Sequence, residues 1–214
     1  MKKRFCKYPQ LLLALSGAAV FLAITGKAAA QTPQSSKTLQ NLQAAYRGEK
    51  NAQTRYVAFA QKAEQEGYGQ VASLFRAAAR AERVHEMNHA AVIRAMGAEP
   101  AGIVEFPVVN STRENLLAAA NKGEAYERDI MYPRFIEQAS AENNRDAIQT
   151  FEFARRAEAQ HFDLFAAAVR NLENMRGTNH TYFVCTECGY TTDEPVTANC
   201  VSCSSPAEKY EAVT

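Results

Sequence analysis

The chain has 214 residues, room for one medium domain and a small appendage. Its formal net charge is +1, but residues 1–30 hold five bases and no acid, which leaves 19 Lys+Arg against 23 Asp+Glu in the rest, a net of −4. A mildly acidic, Ala-rich body gives no ground for a nucleic-acid or anionic-membrane partner, and it favours helix.

The first thirty residues read as a leader. Lys2-Lys3-Arg4 precedes an apolar run from Leu11 to about Thr25, and Ala28-Ala29-Ala30 precedes Gln31. That is the layout of a secretory signal peptide with an A-x-A cleavage site. The apolar run is short for a ~30 Å hydrocarbon core and is interrupted by Ser16 and Gly17. Cleavage is therefore expected over retention as an anchor, giving an exported, periplasmic protein with no stable membrane association. Lys2-Lys3-Arg4-Phe5-Cys6-Lys7 is similar to a twin-arginine signal but has Lys-Lys at the paired positions, which favours export of an unfolded chain and metal loading after translocation.

A polar linker, residues 31–37, leads into four helical stretches. Apolar residues recur at helical spacing from Thr38 to Glu66, and Gly67 and Gly69 end that run. A second helix is predicted from about Gln70 to Met96, stopped by Gly97 and Pro100. After a longer connection over 98–110, Ser111 and Glu114 form a capping box that opens a third helix. That helix runs to about Glu142, with a kink expected at Pro133. Asn143-Asn144 makes a turn, and a fourth helix runs from about Arg145 to Met175. Short, long, short connections predict an all-α, ferritin-like four-helix bundle over 38–177.

The second and fourth helices carry the same phrase. Arg80-Ala81-Glu82 with His85, and Arg156-Ala157-Glu158 with His161, both read R-A-E-x-x-H, 76 residues apart. Glu and His three apart share a helix face and can bind one metal ion. The first and third helices add Glu49 and Glu124, each preceded by Gly (Gly48, Gly123), at an offset of 75. Two repeated hairpins would bring these acids together in the core, where buried carboxylates are unfavourable unless paired or metal-bound. Close packing beside the site is the expected reason for both glycines. Glu127 adds a carboxylate on the face of Glu124, and its counterpart in the first half is Ala52. Unequal metal surroundings are therefore expected, with Glu127 and nearby His85 the candidates for redox-linked movement. The candidate ligands are Glu49, Glu82, His85, Glu124, Glu127, Glu158 and His161. Mixed carboxylate and imidazole ligands suit iron. Glu86 and His89 are placed outside the ligand set, His89 as a supporting or surface residue.

After Gly177 the pattern changes. Cys185-x-x-Cys188 and Cys200-x-x-Cys203 are paired knuckles, the recurrent shape of a tetrahedral Zn or Fe site. In an exported chain the alternative is one or two disulfides. A segment this small, 178–214, would take much of its folding energy from the metal.

Together these motifs resemble the rubrerythrins, a ferritin-like diiron bundle followed by a small rubredoxin-like domain of strands and loops, over residues 38–212. Arg55-Tyr56, Met131-Tyr132-Pro133 and Cys188-Gly189-Tyr190 are similar to family phrases as well. The resemblance implies two non-haem irons on the seven ligands above and one iron, or zinc, on Cys185, Cys188, Cys200 and Cys203. It implies Tyr56 and Tyr132 as hydrogen-bond donors beside the diiron site. The implied activity is reduction of hydrogen peroxide to water, in oxidative-stress defence, with electrons relayed by the four-cysteine iron from an unidentified donor. It also implies a homodimer in which one subunit's tail approaches the other's diiron site. The alternatives are a ferroxidase or iron-handling protein, or a non-catalytic metal carrier with a structural zinc tail. The chain departs from the family pattern at Val201 and Ser204, which stand where Pro and Gly are usual, and in its leader.

Overall fold

The computed structural model describes residues 36–214, all within one unit, Ser35–Thr214. The leader reading on residues 1–30 and the linker up to residue 35 lie outside the described residues.

Helix α1 spans Lys37–Gln65, with Ser36 accepting a hydrogen bond from the Leu39 amide as its cap. Gly67, at φ +80°, turns the chain into α2, Gly69–Ala95. The third rod begins at α3, Thr112–Ala118, with the Ser111/Glu114 capping box formed in both directions. It continues through two π-helical stretches, Ala119–Glu124 and Glu127–Met131, into α4, Tyr132–Ala141. Asn143 takes a positive φ, and Asn144 caps α5, Arg145–Arg170. The last helix stops earlier than its periodicity suggests, and a 3-10 turn over Leu172–Met175 completes the run to Gly177.

The π turns have a footprint in the repeat. The offset is 75 between Glu49 and Glu124 but 76 between Tyr56 and Tyr132, so the third rod holds one extra residue over that interval. A π turn absorbs a single inserted residue without breaking the helix. The insertion lets Glu124 and Tyr132 both face the core, and both are fully buried. Pro133 lies in the first turn of α4, where a missing N–H is tolerated. Pro133 therefore stands at a helix start that follows a change of helical pitch, and not inside one continuous α-helix.

Two apolar clusters pack the bundle. One gathers Tyr56, Phe59, Phe75 and Phe165 with Tyr182 and Val184 of the tail, and the other gathers Leu42, Ile93, Tyr132 and Phe151. The tail is a three-stranded antiparallel sheet in the order β2-β1-β3, with β1 Tyr182–Cys185, β2 Thr191–Thr192 and β3 Tyr210–Val213. It shares the bundle core and is also pinned by polar contacts. Arg80 meets Glu211 at 2.8 Å, Asn88 donates to the Glu187 carbonyl at 2.8 Å, and Arg156 donates to the Ser202 carbonyl at 2.9 Å.

The two cysteine knuckles close alike. The Gly189 amide donates to the Cys185 carbonyl and the Ser204 amide to the Cys200 carbonyl, both at 2.8 Å. Gly189 does so at φ +80°, and Ser204 is driven to φ +64°. The left-handed conformation costs an L-residue roughly 1–2 kcal/mol, which glycine avoids at some expense in chain entropy. Ser204→Gly is expected to stabilise the tail by about 0.5–1 kcal/mol. Denaturant titration followed by the tail's metal–thiolate absorbance checks this, and an unchanged or lowered midpoint contradicts it.

Candidate metal centre

Four glutamates meet in the middle of the bundle, and each is fully buried: Glu49 from α1, Glu82 from α2, Glu124 at the end of the first π stretch, and Glu158 from α5. His85 and His161, each 1% exposed, lie one helical turn beyond Glu82 and Glu158. Two groups of potential ligands form. Glu49, Glu82, His85 and Glu158 make one, and Glu82, Glu124, Glu158 and His161 make the other; within each, one ligand atom per residue lies within 4.8 Å of the rest. Glu82 and Glu158 belong to both groups, so they are placed to bridge. Glu49 and Glu124 each serve one side.

The donor set fits cations on a direct structural test. Glu49 Oε2, Glu82 Oε1 and Glu124 Oε2 are buried without a hydrogen-bond partner, and Glu158 Oε1 has only His85 Nδ1 beside it. A buried carboxylate oxygen with no donor is costly. Three of them, with Glu158 alongside, converging on one space call for positive charge there. Each histidine turns the same nitrogen inward, His85 Nδ1 lying 3.0 Å from Glu158 and 3.1 Å from Glu82, and His161 Nδ1 lying 2.8 Å from Glu158.

Glu127 stands apart from the other candidates. It is buried beside the site, but it is in neither of the close groups. Its carboxyl is raised well above the usual range, by burial first and then by Glu158 and Glu124, with Arg55 partly offsetting them. Burial and then Glu127 likewise push Glu49 up, and burial and then Glu158 push Glu124 to about 8. Burial alone would lower His85, but the Glu158 and Glu82 carboxylates outweigh it and lift the imidazole to about 10.

The two tyrosines cross between halves. Tyr56 of α1 donates to Glu124, and Tyr132 of α4 donates to Glu49. Burial, and then the Glu124 charge, push Tyr56 well above its ordinary range, so it stays a donor. A Cβ on Gly123 would come within 3.2 Å of the Tyr56 hydroxyl, which gives that glycine the expected packing reason. Gly48 has no such reason, since a Cβ there would meet nothing within 4 Å. His89 is fully buried, not on the surface, and its Nε2 lies 3.0 Å from the Tyr132 hydroxyl. Glu86 is buried against Arg83 at 2.6 Å.

The outer nitrogens of both histidines touch the tail. His85 Nε2 lies 3.1 Å from the Cys188 carbonyl, and His161 Nε2 lies 3.0 Å from Thr191 Oγ1. That hydroxyl already donates to the Gly189 carbonyl, so it accepts from His161. Gly189 is required for the approach: a Cβ there would collide with His85 Nε2. The four cysteines form the third potential metal group. Cys185 and Cys203 Sγ are 3.7 Å apart, as are Cys188 and Cys200 Sγ. That matches the edge of a tetrahedron with metal–sulfur bonds of about 2.3 Å. It is far from the roughly 2.05 Å of a disulfide, so the disulfide alternative fails.

A helical bundle with a paired carboxylate–histidine site, joined to a four-cysteine module, defines a ferritin-like diiron protein with a rubredoxin-like tail. A family model described as Rubrerythrin matches residues 40–169. The chain is 35% identical to a protein named nigerythrin from Nitratidesulfovibrio vulgaris, over 82% of this chain and 86% of that one. It is 31% identical to a rubrerythrin from Porphyromonas gingivalis, over 82% and 90%. The solved structure of fully reduced, all-ferrous nigerythrin superposes with a TM-score of 0.76 at 34% identity, covering 86% of this chain and 91% of that one. A bacterioferritin from Mycobacterium tuberculosis, at 16% identity and a TM-score of 0.59, shares the bundle fold alone. The chain belongs to the rubrerythrin family. It is accordingly a diiron oxidoreductase of the oxidative-stress type, with a second, rubredoxin-like iron site.

Metal-stripped protein is expected to lose stability as pH rises from about 5 to about 9. Glu124 near 8 and His85 near 10 both lie above their unfolded values, so the folded chain holds more protons. The stability they contribute is present below the unfolded pKa values and lost as pH climbs through the folded ones. Bound cations displace those protons, so the slope should flatten on loading. Urea titrations of both forms across that range check this, and a stripped form that gains stability with pH contradicts it.

Proposed function

We propose that this protein reduces hydrogen peroxide to water at the paired-metal site, with electrons relayed from the four-cysteine iron of the tail. The observation that carries this reading is the contact between His85 Nε2 and the Cys188 carbonyl, 3.1 Å, inside one chain. It joins a candidate ligand of one metal to the backbone of a candidate ligand of another through a single hydrogen bond. An iron store or a bare metal carrier has no use for that junction.

The site residues take roles under this proposal. Glu49, Glu82, His85, Glu124, Glu158 and His161 hold two irons, which supply reducing electrons at the O–O bond. Glu127, buried next to them, is held in reserve as a carboxylate that can engage one iron when its charge rises. Tyr56 and Tyr132 orient the terminal glutamates and present hydroxyls toward the site. A groove of about 490 Å³, lined in part by Asn51, Arg55, Tyr56, Lys122 and Gly123, reaches the Tyr56 side and is the proposed approach for peroxide.

Export to the periplasm and an unidentified donor there belong to the same proposal and rest on the sequence of residues 1–30. A homodimer is supported by the connection over 98–110, where Ile103, Phe106 and Val108 are 83%, 99% and 76% exposed. Contiguous apolar exposure of this kind marks interaction surfaces. The tail seats on its own bundle in the chain described, so the proposed electron route does not need the partner's tail.

Gly189→Ala tests the route. The added methyl must displace His85 or lift the tail. The variant is expected to keep the Fe–S4 colour while peroxide restores that colour in reduced protein at least about tenfold more slowly, as loss of a single positioned contact allows. Restoration at the wild-type rate contradicts the route. Metal analysis giving one zinc per chain and no Fe–S4 colour in the wild type contradicts the relay itself.

A further inference from the structure

The two halves of the diiron site are not equal around their tyrosines. Tyr56 and Tyr132 are equivalent by the repeat, and each donates to the terminal glutamate of the other half. Around Tyr56 the neighbours are aromatic: Phe165 at 5.5 Å and Phe75 at 5.8 Å between ring centroids. At the repeat offset of 76, the position of Phe165 corresponds to His89, and that of Leu74 corresponds to Thr150. Leu74 and Phe165 are apolar and buried, whereas His89 and Thr150 are buried and polar. Thr150 Oγ1 and His89 Nδ1 are 2.9 Å apart, and His89 Nε2 and the Tyr132 hydroxyl are 3.0 Å apart. A polar pair has therefore replaced an apolar one on the Tyr132 side only.

The hydrogen bonds have one consistent direction. Glu49, as a carboxylate facing cations, accepts, so the Tyr132 hydroxyl donates to it. The tyrosine oxygen is then free to accept from His89 Nε2–H. That leaves Nδ1 bare, and it must accept from the Thr150 hydroxyl. The outer member of this series is Thr150. Thr150 is 5% exposed and lines a groove of about 470 Å³ that also includes Asn88, Asp146, Gln149 and Glu187. Asp146 at that mouth favours cations, protons among them, while Glu187 is paired with Lys209 at 2.8 Å.

We propose that Thr150 and His89 are positioning residues of a proton path from this groove through Tyr132 to Glu49. One passage moves one proton. Water in the groove gives a proton to Thr150 Oγ1 as that hydroxyl passes its own to His89 Nδ1. His89 Nε2–H passes to the Tyr132 oxygen, and the tyrosine's own proton passes to Glu49. Threonine and tyrosine end unchanged, the groove has lost a proton, and Glu49 has gained one. The imidazole is left as its Nδ1–H form, and before the next passage it returns to the Nε2–H form by gaining a proton at Nε2 and losing the one at Nδ1. The path rests on the peroxide reading only for its purpose, since reducing peroxide to two waters consumes two protons in a site closed to bulk solvent. Peroxide approaching beside Tyr56 and protons arriving beside Tyr132 would use opposite halves of the repeat.

The test does not require turnover. In the ¹⁵N-labelled full chain with zinc at its metal sites, the His89 imidazole should show a protonated Nε2 and a bare Nδ1. Thr150→Val, close in shape but without the hydroxyl, should slow exchange of the Nε2 proton with solvent at least about tenfold. Thr150→Ser should restore it. A wild-type imidazole protonated at Nδ1 overturns the proposal. So does exchange that Thr150→Val leaves untouched, or slowing that Thr150→Ser fails to reverse. His89→Phe, which places on this side the residue the other half carries, should fold and load metal. Its peroxide-driven oxidation should lose the solvent deuterium effect of the wild type, and retention of that effect also overturns the path. If peroxide proves not to be the substrate, the zinc-form measurements stand unaltered.

Discussion

The structure depends on four carboxylates buried in one place. Glu49, Glu82, Glu124 and Glu158 have no exposure, and the first three each keep an oxygen without a donor. No packing of the bundle can relieve that arrangement, because the cost lies in desolvated charge and not in shape. Protons relieve part of it, which is why Glu49, Glu124 and Glu127 hold theirs so strongly. Two cations relieve it fully. Much else follows from where those cations must lie: the shared Glu82 and Glu158, the inward Nδ1 of both histidines, and the tyrosines donating from across the repeat.

The tail completes the site and is not merely appended to it. Neutral histidines that offer Nδ1 to metal need partners for their outer N–H groups. The tail supplies both, through the Cys188 carbonyl and Thr191. One small module thus fixes the orientation of both imidazoles and brings a thiolate-ligated iron site to within one hydrogen bond of a diiron ligand. The absence of a side chain at Gly189 is what allows the approach. Ligand orientation and the junction between the two metal sites therefore rest on the same few atoms.

Much of this is legible in the sequence, and the parts that are not have specific reasons. The E-x-x-H pairs and the knuckles are local patterns, so Glu82, His85, Glu158, His161 and the four cysteines can be read from spacing alone. Glu49 and Glu124 need the repeat. The π stretches escape a reading of apolar periodicity because a pitch change leaves almost no mark on it; their one signal is the shift of offset from 75 to 76 between Glu49/Glu124 and Tyr56/Tyr132. His89 is hard to place because its partners, Tyr132 and Thr150, come from other helices. Comparing the halves at that offset exposes it, as a His and a Thr standing where the duplicate has Phe and Leu. Glu127 is the candidate that spacing places least well. Three residues after Glu124 and at the start of the second π stretch, it is buried beside the two close ligand groups.

The repeated halves form a nearly symmetric cage, and the proposed functions rest on the departures from that symmetry: Glu127 against Ala52, His89 against Phe165, Thr150 against Leu74. All of them presuppose two cations between the shared glutamates. Anomalous diffraction at the iron edge from iron-loaded crystals tests that most directly. The account predicts two peaks in the bundle, both contacted by Glu82 and Glu158, one beside His85 Nδ1 and the other beside His161 Nδ1. A single peak, or iron confined to the four cysteines, would contradict it.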